Sequence, residues 1–205
     1  YADMSRYGII KDTNSLIHCI CESINDNSYA KFDNVQKINY VNKIRLYAAD
    51  YVSKNPKIVS QEMFDYTDSE IVELLKNNNV FLDPYLFYRA FEEIFNVNIY
   101  IFSANPNYLG SIEIPRHKIF HARPVRIYRP TIIILKNEGS ESDSLKYPHC
   151  ELIVNYNLVD KQITKLFGIK MTKLCHETLI DSMKTLNINY DDTKSTFSYF
   201  SNFYY

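Results

Sequence analysis

The sequence predicts an α+β domain, with helices packed on a small, mostly antiparallel sheet and a helical extension at the C-terminal end. Three observations predict it. Up to residue 95, apolar residues recur at spacings of three and four. From Val97 the pattern changes to short β-branched and aromatic runs, the strongest being 131–136 (TIIILK). After Asn157 helical spacing returns.

Residues 14–25 predict the first helix, with Leu16, Ile17, Ile20, Cys21 and Ile24 on one face. Asn14 or Ser15 can cap it, since their side chains accept hydrogen bonds from the first free amides. A second helix over 34–53 carries the stripe Val35, Ile38, Val41, Ile44, Ala48 and either Tyr51 or Val52, and Pro56 closes the region. Thr67 starts a third over 67–76, with Glu70 three residues on as in a capping box. Asp83 and Pro84 open a fourth, since proline's missing N–H costs nothing in a first turn. Its broad apolar face is Leu86, Phe87, Ala90, Phe91, Ile94 and Phe95.

Strands are expected at 97–103, 111–114, 131–136 and 149–156. The last two form an antiparallel pair around a long polar loop, 137–148. Helices then follow over 158–167, ending at Gly168 as a C-cap, and over 171–185. From Asp191 the chain is aromatic and polar without periodicity. The expected organisation is a domain over 1–156 and a helical, aromatic extension over 157–205 packed on it, cut from a longer protein.

Composition bounds the function. The 205 residues are 46% apolar and 15% aromatic, enough for a sizeable core. With 4 glycines the chain is neither collagen-like nor a flexible linker. A net charge of −1 gives no overall field towards nucleic acid or acidic membranes. The longest aliphatic run, 132–135, is too short to span a bilayer. Cys19, Cys21, Cys150 and Cys175 make neither a disulfide scaffold nor a zinc site, and they fit a reducing compartment.

Two short segments carry candidate chemistry. In 12–18 (DTNSLIH) a loop delivers Ser15 to the start of an amphipathic helix. Helix-start amides and the helix dipole stabilise a thiolate or an oxyanion there. In 148–151 (PHCE) His149 and Glu151 are two apart, so both project to one face of a strand. A carboxylate beside an imidazole fixes its tautomer and supports its charged form. Together these would supply nucleophile, base and orienting acid. Alone, each has an ordinary structural explanation: a serine at a helix start is usually a cap, and a single histidine is usually a satisfied structural residue.

Segment 12–20 (DTNSLIHCI) resembles the nucleophile motif of the ovarian-tumour (OTU) family of cysteine deubiquitinases, Asp-Gly-Asn-Cys followed by two apolar residues and a helix. Segment 149–153 (HCELI) resembles that family's His-aromatic-Asp/Asn strand, and 86–103 its preceding helix and strand. The resemblance covers about residues 7–156 and implies a papain-like fold. It places Ser15 at the nucleophile position, His149 at the base and Glu151 at the orienting acid, with Asp12 and Asn14 in the loop that presents oxyanion-binding amides. The departures matter. Serine replaces the cysteine, Thr13 the loop glycine, Cys150 the aromatic and Glu151 the shorter acid. A thiol is ionised by a neighbouring imidazole, whereas an alcohol has a far higher pKa and needs concerted proton removal. The implied function is therefore a catalytically defective module acting by protein binding, with ubiquitin or a viral protein as partner. The alternatives are an active deubiquitinase carrying a Cys-to-Ser substitution, and a nucleic-acid-binding or structural virion module using the basic segment 116–129. The sequence style is also similar to uncharacterised proteins of large DNA viruses, which implies host cytoplasm or virion.

Other segments carry weaker signals. Residues 116–129 hold five Lys or Arg and no acid, with Phe120 and Tyr128 interleaved, resembling a single-strand nucleic-acid platform that would use Arg123, Arg126 and Arg129. A solvated loop is the more ordinary reading. His117 and His121 suit a metal only on a helix, which Pro115 and Pro124 oppose, so neither metal nor cofactor is expected. The aromatic run 197–205 would dock on a neighbouring surface. His18 is expected beside the site or on the solvated side of its helix.

Overall fold

The computed structural model describes residues 4–59, 66–103, 126, 128–139 and 147–185. Among these, helices α1 (Ser15–Ser23), α2 (Asn34–Lys54), α3 (Asp68–Lys76) and α4 (Pro84–Phe95) precede most of the sheet. Strand β1 (Met4–Tyr7) lies ahead of them. Strands β2 (Asn98–Ser103), β3 (Thr131–Asn137), β4 (His149–Tyr156) and β5 (Ile163–Thr164) follow, then helix α5 (Ile169–Thr185). Strand order is β1-β4-β3-β2, with β5 on the end of β4. Only β2–β3 is parallel among the described pairs; β1–β4, β3–β4 and β4–β5 are antiparallel.

Helix starts are built as their sequences dictate. Asp33 with Gln36, and Thr67 with Glu70, form reciprocal capping boxes for α2 and α3. The Asp83 side chain accepts the Tyr85 amide ahead of Pro84. Asn96, left-handed at φ 55°, ends α4.

Strand alternation divides the core in two. Ile132 and Ile134 of β3, with Cys150, Leu152 and Val154 of β4, join the main core beneath α1–α4. Ile133 and Ile153 point the other way and pack with Tyr100, Phe167, Met171 and Cys175 under α5. The sheet is thus covered on both faces.

Three expectations are corrected. Residues 158–167 do not form a helix. Asn157 and Asp160 side chains take the amides of Val159 and Gln162, Lys161 is left-handed at φ 57°, and β5 follows. Local side-chain bonds thus outcompete the helix. Leu158 and Val159 are exposed. Gly168 begins a helix rather than ending one, its carbonyl accepting the Met171 and Thr172 amides. Val35 is exposed in the first turn of α2, and the buried row is Val41, Arg45, Ala48 and Val52. The expected strand at 111–114 lies outside the described residues.

The segment after β4 is tied into the sheet. Thr131 and Phe167 exchange both backbone hydrogen bonds, and the Thr131 and Thr172 hydroxyls meet at 2.6 Å. Lys165 pairs with Glu22 and lies over the Tyr7 ring, linking this segment to α1 and β1.

Candidate functional site

The site begins with a turn. The Ser15 amide donates to the Asp12 carbonyl at 3.2 Å, and Asn14 has φ −104° and ψ 15°, so residues 12–15 form a type I turn. The Asp12 carboxylate accepts the Asn14 amide at 2.8 Å. Both amides thus donate inward, to Asp12. The expected side-chain cap on α1 does not form. The Asn14 carbonyl accepts the Ile17 and His18 amides, while its side chain is held by Asn42 (2.8 Å) and Arg45 (2.9 Å).

Arg45 makes this arrangement possible. It is fully buried and donates to Asn14 Oδ1 and to the carbonyls of Leu74, Leu75, Asn77 and Val80. Several of these are orphan carbonyls at the end of α3, where a cation is also favoured by the helix dipole. Burial pushes the guanidinium down to about 10, against the pull of Asp12, so it stays charged at neutral pH. Thr13 adds two more ties: its hydroxyl donates to the Asn78 carbonyl at 2.6 Å, and its carbonyl accepts the Leu82 amide at 2.9 Å.

The second half of the site is β4. The Cys150 amide donates to Ser15 Oγ at 2.9 Å, with both residues fully buried. Cys150 itself faces the α1 side of the sheet. His149 and Glu151 flank it and, by strand alternation, lie on the opposite face. His149 Nε2 meets Glu151 Oε1 at 3.3 Å, and Nδ1 meets the Tyr147 carbonyl at 3.2 Å. Neither nitrogen is hydrogen-bonded to Ser15. Glu151 also pairs with Arg6 of β1 and with Lys11 at 3.0 Å. Burial would raise its pKa, but Arg6, Lys11 and His149 outweigh this and hold it at about 2. It is a carboxylate under all ordinary conditions.

The structure therefore brings His149 to Glu151, and Asp12 to the Asn14 and Ser15 amides. It brings Ser15 to the backbone beside His149 rather than to the imidazole. The thiols do not replace it. Burial raises Cys150, with Asp83 adding, while the Ser15 hydroxyl and Lys136 pull the other way. Burial also raises Cys19, and it pushes Cys21 up to about 12. Of the two positions expected for His18, the solvated one is excluded: it is fully buried beside the site, with Nδ1 2.7 Å from Tyr29 Oη and Nε2 3.3 Å from Asp12 Oδ2. Nothing in the sequence marks Arg45, Arg6 or Lys11 as partners of this region, because each acts across long sequence separations.

Most of 116–129 lies outside the described residues, including Arg123 and the His117/His121 pair, as does 197–205. Arg129 is described and is not a surface cation. It is buried, and its guanidinium grips Glu93 at 2.9 and 3.2 Å. Arg126 pairs with the same carboxylate at 3.2 Å. Among the described residues, no group of three or more His, Cys, Asp or Glu is placed to hold a metal ion, and no helix is long and apolar enough to cross a membrane.

No family model matches the chain. It is similar to Uncharacterized protein 295L of Invertebrate iridescent virus 6, 23% identical over 211 residues that cover 88% of this chain. The chain spans 15% of the length of that viral relative. Among solved structures it is similar to the OTU domain of OTUD1, at 16% identity and a TM-score of 0.46, over 74% of this chain and 86% of that one.

Proposed function

We propose that the chain is a catalytically defective OTU-like module of a larger viral protein, acting by binding ubiquitin or a viral partner rather than by cleaving an isopeptide bond. The motif resemblance at 12–20 and 149–153 motivates the family, and the state of Ser15 carries the defect. Its hydroxyl oxygen is buried and accepts the Cys150 amide, and His149 is committed to Glu151 and Tyr147. A serine nucleophile needs its hydroxyl on the base and a lone pair free to attack. The first condition is not met, since neither imidazole nitrogen bonds Ser15 Oγ, and full burial of Ser15 keeps its remaining lone pair from a substrate. The amides of Asn14 and Ser15, which would have to receive an oxyanion, donate to Asp12.

The test is incubation with di-ubiquitin and with an electrophilic ubiquitin probe, alongside a ubiquitin-binding titration. No cleavage and no labelling are expected, together with binding of ubiquitin or of a viral protein. Robust cleavage by the unaltered chain overturns the reading.

A further inference from the structure

Thr13 has a specific job in this turn. A type I turn becomes another turn when its central peptide flips or its first central residue takes positive φ. The central peptide here joins Thr13 to Asn14, and it is held at both ends. Its carbonyl accepts the Leu82 amide, and its N–H donates to Asp12 Oδ1. The Thr13 hydroxyl, on the Asn78 carbonyl, fixes the residue itself to the segment between α3 and α4. Thr13 is not among the residues with positive φ, a region that its branched side chain disfavours and glycine enters freely.

We propose that Thr13 is a latch: a positioning residue that keeps the 12–15 turn closed, with its amides inward and Ser15 sealed, independently of what atom stands at position 15. The inference rests on the site reading above and deepens it, adding a second defect to the missing sulfur. Restoring the thiol alone would then leave a nucleophile without an accessible surface or an oxyanion-binding amide.

The experiment compares Ser15→Cys with Ser15→Cys/Thr13→Gly, Ser15→Cys/Thr13→Val and Ser15→Cys/Thr13→Ser. Two probes are used. Iodoacetamide alkylation is read by peptide mapping at position 15. Binding of N-acetylglycinal is read by carbon-13 NMR of the labelled aldehyde. In that adduct the introduced thiolate forms a C–S bond to the carbonyl carbon. The π pair moves to oxygen, which takes up a proton, and nothing is oxidised or reduced.

The latch predicts slow alkylation and no adduct for Ser15→Cys, and also for the Thr13→Ser double variant, which keeps the hydroxyl. The Thr13→Gly double variant should alkylate about tenfold faster, the opening allowed by losing one hydrogen bond, and should form the adduct. Thr13→Val should fall between. Buried Cys19, Cys21 and Cys150 serve as the control for the fold and should stay unreacted.

Three results overturn the latch: an adduct with Ser15→Cys alone, no gain with Thr13→Gly, or a gain accompanied by reaction of the three buried cysteines. None depends on ubiquitin. Cleavage of di-ubiquitin by the unaltered chain, in contrast, would overturn the functional reading.

Discussion

The amide of Cys150 and the hydroxyl of Ser15 meet at 2.9 Å across 135 positions of sequence, and this bond ties the start of α1 to the start of β4. The serine is used as a structural acceptor. Ser15→Ala leaves the Cys150 N–H buried and unpaired, a loss of about 1–3 kcal/mol. Urea unfolding should show this loss, while Ser15→Cys, which keeps a weak acceptor, should lose less.

Arg45 satisfies four carbonyls and one side-chain amide at once. Arg45→Met removes every donor and should cost about 3 kcal/mol or more, because the buried Leu75 carbonyl and Asn14 Oδ1, with three part-buried carbonyls, lose their partner together. Arg45→Lys should recover little of it, since one ammonium cannot span acceptors arranged around a planar fork. Chemical denaturation of the two variants beside the parent checks both statements.

Glu151 makes stability depend on acid. Its folded value, about 2, lies below the unfolded carboxylate value of about 4.3. The contribution is therefore fully present above the unfolded value and is lost as pH falls from there towards 2. Arg6 is largely exposed, so solvent screening limits the effect to about 1–2 kcal/mol. Glu151→Gln should flatten this limb of the stability curve, measured as the urea midpoint between pH 6 and pH 2.5.

The Thr131 and Thr172 hydroxyls, 2.6 Å apart and buried, fasten α5 to the sheet. A double-mutant cycle with Thr131→Val and Thr172→Val should return a coupling of about 0.5–1.5 kcal/mol. A value near zero would mean that apolar packing alone holds the helix.

The helices were legible because their signals are local. The capping box at Thr67 and the Asp83-Pro84 start depend on neighbours three residues away or fewer. β3 and β4 were legible through their β-branched runs. β1 was not, since MSRY is polar and becomes a strand only by pairing with Leu152 to Asn155. The hairpin at 157–164 was hidden by an apolar spacing that the fold does not use. The candidate site was legible as two segments. Its connections were not, because alternation places Cys150, rather than His149, toward Ser15, and because Thr13, Asn14 and Glu151 find partners far along the chain.

The pairing of β1 with β4 also sets the order of assembly. Met4 lies opposite Asn155, so the first strand waits for one of the last. A chain leaving the ribosome can form α1–α4 early, yet the sheet beneath them stays open until residue 156 has emerged. Until then the apolar faces of Leu16, Ile17 and Ile20 have no β4 to cover them. Long-range closure of this kind slows folding and prolongs exposure of sticky surface. A nascent chain stalled before residue 149 should accordingly be held by chaperones, and release past residue 156 should free it.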